Sequence, residues 1–378
     1  MTVSQFPLIE IHGTPRERGR QYGQAAAERI KRGVSHYLKQ FADCGLDGRG
    51  IRSHVESYLP RIHAYDGDLV EEMKGIAEGA GIDFDSVVLL NARTELLHEA
   101  LEVQKRASER EQNSPDGCTG VVVLPSASAD GTIIHATNWD WKAECAETAV
   151  VLQIRRDDGP DVLMFAEAGA VSRAGVNAAG IAITANYIES DRDFEKPGIP
   201  LALLRRKALE AETYAGAIGV IVSTQKLTSN NLILSHRDGV AIDFECAPSE
   251  TFAVYPDNGL IVHANHWTST AALSKYKDVG ILGTPDSLYR DLRVKEHLKP
   301  KIGNITRRDV ITALRDEFGA PLAVCRAPLR KSERGDLTAT VATLMIDSNA
   351  GTMDITPLPA LNRQSTTYTL SAARNLAA

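Results

Sequence analysis

Cysteine is scarce and scattered: five residues, at positions 44, 118, 145, 246 and 325, with no Cys-x-x-Cys pair. An odd, widely spaced set of this kind excludes a disulfide framework and a zinc knuckle. No apolar run approaches the ~20 residues that span a bilayer. The first ten residues lack the basic end and apolar stretch of a secretory signal. No long block of one charge sign is present, and the net charge of −7 with a pI near 5.8 weighs against nucleic acid or an anionic membrane as partner. Internal repeats and low-complexity tracts are also missing. What remains is the composition of a soluble globular protein, 43% hydrophobic and 24% charged, with a cytoplasmic location as the expectation.

The first hundred residues read as helical. Pro15 suits a first helical turn and opens a stretch to about Phe41. Gly19 and Gly23 interrupt it, as small residues do where helices pack closely. Asp66 or Asp68 can cap a second helix carrying the Leu69, Met73, Ile76 and Ala77 stripe, ended by Gly79 and Gly81. Asp85 can cap a third through Val88, Leu89 and Leu96. Residues 100–116 turn charged and unpatterned and read as a loop. From Cys118 the period changes to short β-type runs at 119–124, 132–138, 149–155, 161–167, 180–186, 231–236, 239–245, 251–255 and 260–264. Helical segments interrupt near 200–222, 285–299 and 307–318, and a last strand pair is expected at 338–346 and 352–356. Hairpin-connected strands with segregated helices predict an antiparallel, layered α+β fold.

One junction carries chemistry. In Asp116-Gly117-Cys118-Thr119 a turn feeds directly into an apolar strand, and Asn138-Trp139-Asp140-Trp141 follows about one strand later. A Gly-Cys bond placed there has little structural use. It makes sense if the chain cuts itself before Cys118, giving one residue both a thiol and a free α-amine to deprotonate it. Reference values of about 8.5 for the thiol and 7.7–8.0 for the amine are closely matched, and the thiolate is the nucleophile. Trp139 and Trp141, alternating with Asp140 on a strand, point away from it and read as packing. The glycines at 169, 175 and 180 sit in a strand–turn–strand context without Gly-Lys-Ser, so they mark hairpin turns rather than a nucleotide loop.

With Arg18-Gly19-Arg20-Gln21-Tyr22-Gly23, Glu72 to Gly81, Leu90 to Leu96, His263 to Trp267 and the strands after Thr338, these segments resemble the acyl-coenzyme A:6-aminopenicillanic acid acyltransferase family. Its members are N-terminal-nucleophile hydrolases. The resemblance implies a four-layer αββα sandwich, cleaved autocatalytically before Cys118. Residues 1–117 would stay bound as an α subunit beside a β subunit of 118–378, the two forming one catalytic domain.

It also implies roles. Gly117 supplies the strain-tolerant side of the scissile bond and Cys118 the nucleophile of a thioester intermediate. Asp140 is the candidate partner of the new α-amine. Asn265 is the candidate side-chain donor to the oxyanion, and Asn186 a candidate for the backbone donor. Arg326 is the candidate substrate- or carboxylate-orienting arginine, although Ala327-Pro328 departs from the family pattern and leaves Arg330 and Arg334 as competitors.

The partner implied is a small-molecule acyl amide. No cofactor or metal is expected, with acyl-coenzyme A possible as a substrate. His263 and His266 could serve as a metal pair or as the base of a papain-like site, but their spacing and context favour hydrogen-bonded strand-end histidines. Two alternatives stay open: an acyl-coenzyme A-dependent N-acyltransferase using the same thioester, and an unprocessed binding scaffold.

Overall fold

The computed structural model describes residues 3–99, 117–330 and 337–370. The expected loop at 100–116 and the competitor Arg334 lie outside the described residues, as does the side chain of Arg330.

After a short strand come α1 (Pro15–Ala25), α2 (Ala27–Asp43), α3 (Gly48–Tyr65), α4 (Gly67–Ala80) and α5 (Phe84–Asn91), and residues 93–99 are again helical beyond a break at Ala92. The stretch expected as one helix from Pro15 is two, broken at Ala26. Thr14 starts α1 through a reciprocal capping box with Glu17. Asp66 caps α4 by accepting from the Leu69 amide at 3.1 Å. Gly81 closes that helix in the left-handed conformation, φ 66°. Asp83, not Asp85, caps α5 through the Ser86 amide. Helix α3 had no clear sequence signal, because glycines at its start and Pro60 within it obscure the buried Ile51, Val55, Tyr58 and Ile62 face. The glycines of α1 and α4 pack backbone to backbone. A Cβ on Gly19 would meet the Gly75 Cα at 2.9 Å, and one on Gly23 would meet the Gly79 Cα at the same distance.

Two sheets follow. The first has eight strands in the spatial order Leu8–Ile11, Ala149–Ile154, Val162–Glu167, Ala174–Asn177, Ile181–Tyr187, Asn230–His236, Val240–Cys246 and Thr251–Val254. All its pairs are antiparallel except the first, where Leu8–Ile11 runs parallel to Val151–Ile154. The second runs Leu260–His263, Thr119–Val123, Ile134–Lys142, Leu337–Asp347, Thr352–Pro357 and Thr366–Thr369, with Leu329–Arg330 paired beside Leu337–Asp347. The strands at Leu8–Ile11, Ala174–Asn177 and Thr366–Thr369 were not expected; at four residues each they are too short to show an alternating pattern.

Helices α6 (Leu201–Leu209) and α7 (Tyr214–Ser223) join α1–α5 on the outer face of the first sheet, within one large apolar core. Helices α8 (Ser287–Leu298) and α9 (Arg307–Leu314) cover the outer face of the second, where Val294, Leu298, Val310 and Leu314 meet Val121, Ile134 and Val262. The layers are therefore helix, sheet, sheet, helix, an α+β, αββα sandwich as the resemblance implies. Val122, Ile133, Ile233 and Ile261 fill the space between the sheets beside the site. Buried polar ties cross it as well, including His135 to both Ser235 and Thr184 at 2.8 Å. Among the described residues no helix is long and apolar enough to cross a membrane.

Candidate active site

Cys118 sits one residue before the strand Thr119–Val123 and is 1% exposed. Its sulfur faces the space between the sheets. There Arg173 donates from Nη2 to Sγ at 3.2 Å, and the same guanidinium lies 4.5 Å over the Trp139 ring. A cation at this distance favours the thiolate. The neighbouring strand Ile134–Lys142 alternates as expected: Trp139 packs edge-on against Phe165, and Trp141 donates to the Tyr37 hydroxyl at 2.9 Å. Asp140 therefore faces the other way, toward α8 and α9. It lies inside the strand rather than at its end, opposite a bulge in the partner strand between Thr340 and Ala342. Such bulges re-aim side chains beside sites.

On that opposite side lies a buried chain of alternating charge. Arg326 Nε is 3.3 Å from Asp140 Oδ2, and Arg326 also pairs with Asp286. Arg290, fully buried, donates from Nε to Asp286 at 2.8 Å. Its Nη1 then reaches the carbonyl oxygens of Gly117 at 2.7 Å and Cys118 at 2.8 Å, together with Thr119 Oγ1 at 3.0 Å. Nη2 donates to Asn265 Oδ1 at 2.9 Å. Burial and the neighbouring Arg326 pull the Arg290 guanidinium below its ordinary value, while Asp286 and Asp140 oppose them. Gly117 has a steric reason to be glycine, since a Cβ there would overlap the Arg326 guanidinium.

Arg290 thus links Asn265 to Gly117 and Cys118, while Asp140 and Arg326 complete the same chain. The side-chain amide of Asn265 also donates to the Tyr187 carbonyl at 2.7 Å. Asn186 stands apart from this chain: its side chain crosses between the sheets to the His263 carbonyl at 2.9 Å. The histidines are engaged elsewhere. His263 bonds Glu245 at 2.9 Å, and His266 bonds Ser287 at 2.8 Å. Burial alone would lower His263, but Asp243 and Glu245 carry it up to about 9. Burial and the charge on His263 push His266 down to about 4. Among the described residues no group of three or more His, Cys, Asp and Glu is placed to hold a metal ion.

Residues 127–357 match the family described as acyl-coenzyme A:6-aminopenicillanic acid acyl-transferase. The chain belongs to this family. The matched span contains Asp140, Asn186, Asn265, Arg290 and Arg326, with Gly117 and Cys118 just before it. A relative from Emericella nidulans, the acyl-coenzyme A:6-aminopenicillanic-acid-acyltransferase 40 kDa form, is 28% identical over 336 residues, covering 86% of each chain. Solved structures with lower likeness include a mutant conjugated bile acid hydrolase from Clostridium perfringens. It has a TM-score of 0.47 and 14% identity, over 68% of this chain and 93% of that one. Penicillin V acylase from Agrobacterium tumefaciens gives 0.45 and 13%, over 68% and 87%.

Family membership does not by itself point to three residues of this site, and sequence reading passed over them. Arg290 and Asp286 stand four apart at the start of α8, a spacing that on an exposed helix is an ordinary surface pair. Arg173 lies in a turn whose glycines drew attention to the backbone instead. Only the fold brings Arg290 and Arg173 to Cys118, with Asp286 behind Arg290.

Proposed function

We propose that the chain is a precursor that cleaves its own Gly117–Cys118 bond and then works as an N-terminal-cysteine amidohydrolase or acyltransferase on a small acyl amide. The observation that carries this reading is the Arg290 guanidinium on the Gly117 carbonyl oxygen, 2.7 Å away. In the first step Cys118 Sγ bonds to the Gly117 carbonyl carbon, and Arg290 stabilises the charge that develops on the oxygen. The Gly117–Cys118 C–N bond then breaks, and the thiol proton ends on the nitrogen. Water hydrolyses the resulting thioester, leaving a Gly117 carboxylate, the thiol and a free α-amine on Cys118. Residues 1–117 stay docked through the parallel pairing of Leu8–Ile11 and the shared helical core.

In the mature site the α-amine takes the thiol proton, and Sγ bonds to the substrate carbonyl carbon. The proton passes to the leaving amine as its C–N bond breaks, giving a Cys118 thioester. Asp140 holds the α-amine, while Asn265, positioned by Arg290, donates to the oxyanion, and the backbone N–H of Asn186 is the candidate second donor. Water at the thioester gives hydrolysis. An amine gives transfer, with acyl-coenzyme A as one possible donor, the reaction printed in the relative's name. A cytoplasmic location belongs to the same proposal.

Intact mass and N-terminal sequencing of wild type and Cys118→Ala test it. Wild type is expected to split before Cys118 and the variant to stay whole; a normally split variant would eliminate the mechanism.

A further inference from the structure

Helix α6 carries two consecutive buried arginines with opposite fates. Arg206, fully buried, is met by Glu72 at 2.8 Å from both of its terminal nitrogens and by Glu210 at 2.7 Å. Arg205 is 7% exposed, yet among the described residues no carboxylate or carbonyl accepts from it, and its Nε is buried without a partner. An uncompensated buried guanidinium is costly. Burial, with the charge of Arg173, brings Arg205 down to about 9, and Glu95 and Cys118 act on it in the opposite sense.

Arg205 borders a narrow cleft whose wall also holds Arg173, Arg93, Ser172, Glu95 and Glu167. Arg93 and Glu167 pair with each other, and Glu167 also accepts from Tyr37 at 2.6 Å. Glu95 accepts from the Leu201 amide at 2.7 Å, and burial raises its carboxyl above the usual range. Ser172 is 3% exposed, and its hydroxyl, like Arg205 Nε, is buried without a partner. Arg173 joins this wall to the nucleophile through its 3.2 Å contact with Cys118 Sγ. Arg205 and Ser172 therefore bring unused hydrogen-bonding capacity to one wall, and Arg173 connects that wall to the thiol.

We propose that this cleft is a receptor for a carboxylate of the substrate, held by Arg205 with Ser172 and steered past Arg173 to the thiol. The assignment rests on the amide-cleaving reading and adds its substrate class: amides with a free acid group on the acyl or the amine part. A guanidinium fork matches a carboxylate in two parallel bonds, and a neutral isostere leaves it unpaired.

Alkylation of Cys118 by iodoacetate and by iodoacetamide, read on the Cys118 peptide by mass, tests the receptor without needing turnover. The rate ratio of the anionic to the neutral reagent is expected to fall about tenfold in Arg205→Leu and to recover in Arg205→Lys. In parallel, kcat/KM is compared for amides bearing a carboxylate on the acyl side or on the amine side and for their carboxamide counterparts. The side whose carboxylate is preferred about tenfold or more in wild type, with the preference lost in Arg205→Leu, identifies the part that docks. An unchanged alkylation ratio, or a processed and active enzyme indifferent to substrate charge, overturns the receptor. An uncut chain instead overturns the earlier reading, so the two failures are distinct.

Discussion

Arg290 Nη1 lies 2.7 Å from the carbonyl oxygen of Gly117 and 2.8 Å from that of Cys118, so one buried guanidinium spans the bond proposed to break. It is held there by Asp286 at 2.8 Å, itself shared with Arg326. A donor fixed in advance on a carbonyl that will become an oxyanion needs no reorganisation at the moment of attack. That is the condition under which such donors matter most.

Replacing it gives the first prediction. Arg290→Gln is expected to slow self-cleavage by roughly 10²–10³, the effect of losing one preorganised oxyanion donor. The fraction of uncut chain is followed over time by gel and mass, with circular dichroism to confirm folding. Arg290→Lys keeps the charge but not the fork and should fall between. A folded Arg290→Gln protein that splits at the normal rate removes the residue from the reaction.

Gly117→Ala probes the same centre by shape. The added methyl overlaps the Arg326 guanidinium and must displace it from Asp140 and Asp286. The expected result is cleavage slowed by about tenfold or more, because small misplacements of a positioned group are costly. Gly117→Ala processing at the wild-type rate would show that the contact is irrelevant.

Asp140→Asn removes the negative end of the Asp140–Arg326–Asp286 chain while keeping its size. Slower processing, slower turnover or both are expected. In a double-mutant cycle with Arg326→Lys the two effects should be non-additive, because the pair is in contact at 3.3 Å. Wild-type rates in both steps would place Asp140 outside the site.

How much of this was open to sequence reading depends on whether the signal was local. The caps at Asp66 and Gly81, the alternation of Trp139, Asp140 and Trp141, and the tight packing marked by Gly19 and Gly23 follow from neighbours within a turn or strand. Cys118 stood out because a turn meets an apolar strand there. Helix α3 was hidden by glycines and Pro60, whose low propensities are overridden by the buried face on Ile51, Val55 and Tyr58. Arg290 and Arg173 were illegible for a different reason. Their partners lie 173 and 55 residues away along the chain, and no spacing rule connects them.

A pH prediction follows from the tie between His263, at the edge of the second sheet, and Glu245 in the first. Burial disfavours the imidazolium, but Asp243 and Glu245 outweigh it and raise His263 to about 9. A raised value means the contribution is complete below about pH 6.5, the unfolded value. It is lost as pH rises through about 9. Thermal melts across that window should therefore show stability falling in wild type. In His263→Gln the fall should be absent, on top of a loss of about 3–5 kcal/mol from breaking a buried pair. Parallel curves for the two proteins would contradict the assignment.

The most direct test is N-terminal sequencing and intact mass of the purified, active protein. Two co-purifying fragments are expected, the larger beginning Cys118-Thr119-Gly120, with activity appearing only as the 41.0 kDa chain disappears. A fully active enzyme that remains a single 41.0 kDa polypeptide would contradict the proposed self-cleavage.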